Sequence, residues 1–146
     1  MAKHSVREEL LGVVAFVGAI WAVFLVSWAL PWLQLEHYGI TPRTSRGLVG
    51  ILAAPFLHGS FEHLTSNTVP LVVLLLLLAG SNARSWAVVI AVTLLGGGLL
   101  WLFGRGATHI GASGLIFGLI AYLIVAGLVE RRFVPLAISL LVGVMY

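Results

Sequence analysis

The sequence contains neither cysteine nor aspartate, and charged side chains make up only 9% of it. Without cysteine there is no disulfide and no thiolate metal site, and redox compartment leaves no trace. Soluble domains carry about 25% charged residues, so a chain this poor in charge and 60% hydrophobic is a membrane protein. The acidic residues are Glu8, Glu9, Glu36, Glu62 and Glu130, and none falls within a long apolar run. A buried Ser-His-acid triad is therefore hard to build, and an ion-coupled transporter or channel subunit lacks an acid to work with. A G-x-S-x-G elbow is absent because position 115 is leucine. No basic run interleaved with aromatics points to nucleic acid. No small-residue cleavage site follows the first apolar run, which reads as a retained span and not a signal peptide.

What is present is a series of apolar stretches, and they predict an all-α, polytopic membrane bundle. Residues 1–146 read as one domain with spans near 10–30, 63–79, 86–103 and 110–129, and a partial span at 133–146. The last stretch would rise only about 21 Å against a hydrocarbon core of about 30 Å, so the chain reads as a fragment ending inside a helix. Trp28 and Trp32 suit an interfacial belt. Residues 48–57 are apolar but too short to cross and contain Pro55, which predicts an interfacial or re-entrant piece. Pro70 predicts a kink, since it removes the hydrogen bond to the Ser66 carbonyl. With the N-terminus inside, Lys3, Arg7, Arg84, Arg131 and Arg132 are cytoplasmic, and Arg43, Arg46 and Arg105 lie outside. That orientation sends the starts of the second and fourth spans to the outer side, at the plasma membrane if the source is bacterial.

Those two helix starts carry the polar groups. Ser113 lies in Gly111-Ala-Ser-Gly114 at the head of one apolar run, where unpaired backbone N–H groups and the helix dipole favour an oxyanion. Alternatively the stretch is only a packing motif, with Gly114 and Gly118 spaced as G-x-x-x-G for close helix approach. Ser60 is a candidate N-cap for the other helix, and Glu62 lies in its first turn. His63 and Asn67 are four apart on one helix face. Either they donate hydrogen bonds to a developing oxyanion beside the Ser113 N–H, or they pin two helices together. His58 and His109 lie in or beside loops, solvated or acting as fasteners. Their spacing matches no zinc motif, so no metal or other cofactor is expected.

The pairing of His58-x4-His63-x3-Asn67 with Gly111-Ala-Ser-Gly114 resembles the rhomboid family of intramembrane serine proteases. Tyr38-Gly-Ile-Thr-Pro-Arg43 and Ala54-Pro-Phe-Leu-His58 are similar to the approach to the second helix in bacterial members. The resemblance implies a six-helix bundle with a water-accessible cavity, in which a Ser-His dyad cleaves transmembrane segments of other membrane proteins within the lipid bilayer. Position by position it implies Ser113 as nucleophile, His63 and Asn67 in the oxyanion hole, His58 as an organiser of the site, and Phe117 as an aromatic packed on the catalytic imidazole. The family's general-base histidine lies on the sixth helix, and no histidine here matches it. The 146 residues are thus expected to be inactive alone. A catalytically dead relative that only binds transmembrane segments is the alternative, and a small transporter or channel subunit a more distant one.

Overall fold

The computed structural model describes residues 6–81 and 84–146, and among them the chain forms six α-helices. They are α1 (Val6–Ala29), α2 (Ser45–Ala53), α3 (Phe61–Ala79), α4 (Ser85–Phe103), α5 (Ser113–Val129) and α6 (Phe133–Met145). Lys3, counted above as inward-facing, lies outside the described residues. Helices α1, α3 and α4 are long and apolar enough to cross a membrane, while α5 and α6 are shorter apolar helices. The protein is a multi-pass, all-α membrane bundle.

Helix α5 is the centre of the bundle, packed by α3, α4 and α6. Its Leu115, Ile116, Leu119, Ile120 and Leu123 form one core with Leu64, Leu71, Leu74, Leu75 and Leu78 of α3, Val13 and Ile20 of α1, and Val89 of α4. Lipid is as apolar as these side chains, so helix association here rests on close packing and interhelical hydrogen bonds. Gly118 supplies such an approach, because a Cβ there would lie 2.3 Å from Val92 of α4. Gly114 does not: nothing lies within 4 Å of a Cβ at that position. The G-x-x-x-G expectation is therefore met at one glycine only, and the other faces open space. Among Gly96, Gly97 and Gly98 only Gly97 is a packing glycine, against Ile51 of α2.

Several boundaries differ from the sequence reading for local reasons. Helix α1 already includes Val6 to Glu9 ahead of the expected span. Helix α5 starts at Ser113 and not at 110, because Gly111 has φ +103°, a left-handed conformation that a right-handed helix cannot contain. Helix α3 runs unbroken through Pro70. The stretch expected to be interfacial is α2 followed by a 3₁₀ turn, Ala54–Phe56.

Helix α2 and its approach are stitched to the ends of α4 and α5. Ile40 and His109 exchange backbone hydrogen bonds of 2.9 and 2.8 Å, and the Thr41 and Thr108 hydroxyls lie 3.0 Å apart. Arg43 Nη1 donates to the carbonyls of Leu102 and Gly104, both at 3.0 Å, satisfying orphan groups at the α4 C-terminus. Gly111 N–H donates to the Ala54 carbonyl at 2.9 Å. The 3₁₀ turn thereby holds the segment that leads into Ser113.

Candidate active site

Ser60 caps α3, its hydroxyl accepting from the His63 N–H at 3.1 Å. That fixes the first turn, from which His63 and Asn67 project on one face. Asn67 is buried at 2% exposure, and its Nδ2 donates to the His63 carbonyl at 2.7 Å. The His58 ring meets the His63 ring edge-on, with centroids 4.9 Å apart. His63 lies against Gly111: a Cβ there would be 2.5 Å from His63 Nε2. Gly111 is thus needed twice over, for its backbone conformation and for the room it leaves the imidazole.

Two residues beyond Gly111, Ser113 begins α5, with Ala112 at the N-cap providing no side-chain cap. The first N–H groups of α5, which have no intrahelical acceptor, therefore receive none from the N-cap side chain either. Ser113 and Gly114 line a groove of about 260 Å³ between α5, α4 and α2, with Pro55, Thr93, His109 and Phe117 among its other walls. His109 acts as a fastener: its Nε2 lies 3.2 Å from the Arg105 carbonyl and its backbone pairs with Ile40.

Tyr146, at the end of α6, was not among the residues singled out from the sequence. Its hydroxyl donates to Asn67 Oδ1 at 2.5 Å, and the Ser113 side chain is near it. Its ring packs on Phe117, centroids 5.3 Å apart. A signal did exist in the hairpin formed by α5 and α6. Counting equally outward from the turn at Arg131 puts Tyr146 level with Ile116 and Phe117. Ser113, Asn67, His63, Gly111 and Phe117 are thus brought to one place, with His58 behind His63.

His58 lies in the loop before α3, 3% exposed, and neither ring nitrogen has a hydrogen-bond partner. Burial, and then the neighbouring His63, lower its pKa from 6.5 to about 4. It is a neutral imidazole at physiological pH.

Comparison with known proteins places the chain in a family. A family model described as Rhomboid domain matches residues 45–146. Uncharacterized proteins of Mycobacterium tuberculosis and Mycobacterium bovis are each 42% identical over 142 residues, covering 92% of this chain and 58% of the relative. An uncharacterized protein of Mycobacterium leprae is 41% identical over 128 residues, covering 82% of this chain and 50% of the relative. The chain therefore spans little more than half the length of these relatives. No solved structure matches it.

Proposed function

This chain belongs to the rhomboid family of intramembrane proteases, and on that premise we propose that residues 1–146 form the larger part of a serine endopeptidase that cleaves transmembrane segments. Ser113 is the nucleophile. Its backbone N–H, the His63 imidazole and the Asn67 amide receive the oxyanion as the tetrahedral intermediate forms. His58 supports His63 from behind, Gly111 leaves room for that ring, and Gly114 keeps the groove open beside the serine. The observation that carries this reading is His63 seated on Gly111, two residues before Ser113 at the head of α5, with Asn67 one turn along α3 from His63.

A serine needs a base. One stripe of α5 is exposed between the sides that pack on α4 and α6: Gly114, Phe117, Ala121, Val125 and Leu128. These positions are three or four apart and form one helix face. We place there a further helix whose histidine reaches Ser113 and packs on Phe117, completing a Ser-His dyad. The relatives have the length for it.

Helix α5 has 17 residues and rises about 25 Å, less than the hydrocarbon core of about 30 Å. With Glu130, Arg131 and Arg132 holding its other end at an interface, Ser113 is recessed in the apolar layer. That depth suits a substrate that is itself a transmembrane segment. The segment must unwind locally, because helical carbonyls are hydrogen-bonded and shielded, so small helix-breaking residues near the cleaved bond are expected.

The test is cleavage of a membrane-anchored substrate by the whole protein in liposomes. Ser113→Ala is expected to lower the rate by at least about 10³-fold; wild-type rates from that variant would overturn the reading. A wild-type protein that retains the substrate without cutting it would be the inactive binder.

A further inference from the structure

We infer that Tyr146 is a positioning residue for the oxyanion hole: its phenol fixes the Asn67 amide so that one Nδ2 hydrogen stays free for the reacting carbonyl oxygen. The inference rests on the reading of Ser113 as the nucleophile. A carboxamide offers one acceptor and two hydrogens, and its two orientations differ only in what surrounds them. Here both ends are specified. Asn67 Nδ2 donates to the His63 carbonyl at 2.7 Å, and Oδ1 accepts from the Tyr146 hydroxyl at 2.5 Å. Turning the amide over would set Oδ1 against the His63 carbonyl, acceptor against acceptor. It would also take from the tyrosine proton its acceptor.

With the orientation fixed, one Nδ2 hydrogen is spent on His63 and the second remains. A donor held in place before the reaction is what makes an oxyanion hole effective, because no reorganisation is needed as charge develops. At 2% exposure, Asn67 has little access to water that could replace the phenol as partner to Oδ1. The ring is held by Phe117, 5.3 Å between centroids, so α6 positions the hydroxyl through a packed aromatic contact.

Tyr146→Phe in the whole protein keeps the ring and removes the hydroxyl. With a membrane-anchored substrate in liposomes, kcat is expected to fall about tenfold or more with KM unchanged, less than the loss of a donor itself. In the Asn67→Ala background the same change is expected to cost nothing further, because the amide it positions is gone. A thermal melt in detergent for each variant accompanies the kinetics, and a packing role alone would move the melt and leave the two losses additive. Wild-type kcat in Tyr146→Phe, or additive losses in the double variant, would overturn the inference. Ser113→Ala separates the two levels. If it is inactive while Tyr146→Phe is fully active, only the role of Tyr146 falls; if it cleaves normally, the protease reading falls with it.

Discussion

His58 shows how much one buried side chain can set. Its imidazole is buried, and burial first, then the neighbouring His63, disfavours the charged form and lowers the pKa to about 4. The unfolded chain, near 6.5, binds a proton across the interval from 6.5 down to 4 that the folded protein refuses. Stability from this group is complete above pH 6.5 and is lost as pH falls toward 4, at most on the order of 3 kcal/mol. Melting temperature in detergent is expected to drop over that window, and His58→Gln to flatten the drop; equal slopes in the two proteins would contradict the assignment. The His58-x4-His63-x3-Asn67 spacing made the shared face of His63 and Asn67 legible, because helical periodicity alone decides it. That His58 is neutral and stacked edge-on against His63 was not legible, since burial depends on neighbours from other elements. Gly111 is similar: the sequence offers a glycine, and only the fold shows the imidazole that needs its space.

At the scale of elements, α2 decides where the serine sits. It is too short to cross a membrane, and its seating is made by glycines facing backbone. A Cβ at Gly50 would lie 2.3 Å from the Gly39 carbonyl carbon, and one at Gly47 would lie 2.0 Å from the Thr41 oxygen. Backbone cannot move aside as a flexible side chain does. Gly50→Ala is therefore expected to destabilise the protein by about 1–3 kcal/mol. It should also displace the 3₁₀ turn whose Ala54 carbonyl holds Gly111, so cleavage falls more than the stability loss explains. An unchanged melt and unchanged rate would mean that α2 is not fixed in this way. The sequence showed a short apolar piece with Pro55, but its partners were hidden because they are backbone groups, some in the preceding turn and others more than 50 residues away. The fate of Gly114 was hidden likewise, since G-x-x-x-G spacing states which residues share a face and not what that face meets.

For the whole molecule, the described basic residues sort to two ends. Arg132 Nη2 donates to the Gly80 carbonyl at one end, while Arg43 holds Leu102 and Gly104 at the other. The charge bias predicts that the first end faces the cytoplasm. Because residues 1–146 contain no cysteine, single introduced thiols, with any cysteine elsewhere in the protein replaced, test this directly. On intact cells a membrane-impermeant thiol reagent is expected to label Ala107→Cys, and Glu130→Cys only after permeabilisation. The reverse pattern would invert the orientation and put the Ser113 end of the bundle inside.

The sequence by itself determined the solvent and the long apolar helices, because apolar length and helical period are properties of consecutive residues. It also put the serine and the His63–Asn67 pair at helix starts on one side. Tertiary structure alone decided that Gly111 makes room for His63, that Gly114 opens a groove, and that Tyr146 reaches Asn67. Those outcomes depend on which surfaces of separate helices touch, and contact between distant segments is fixed by packing, which no local pattern records.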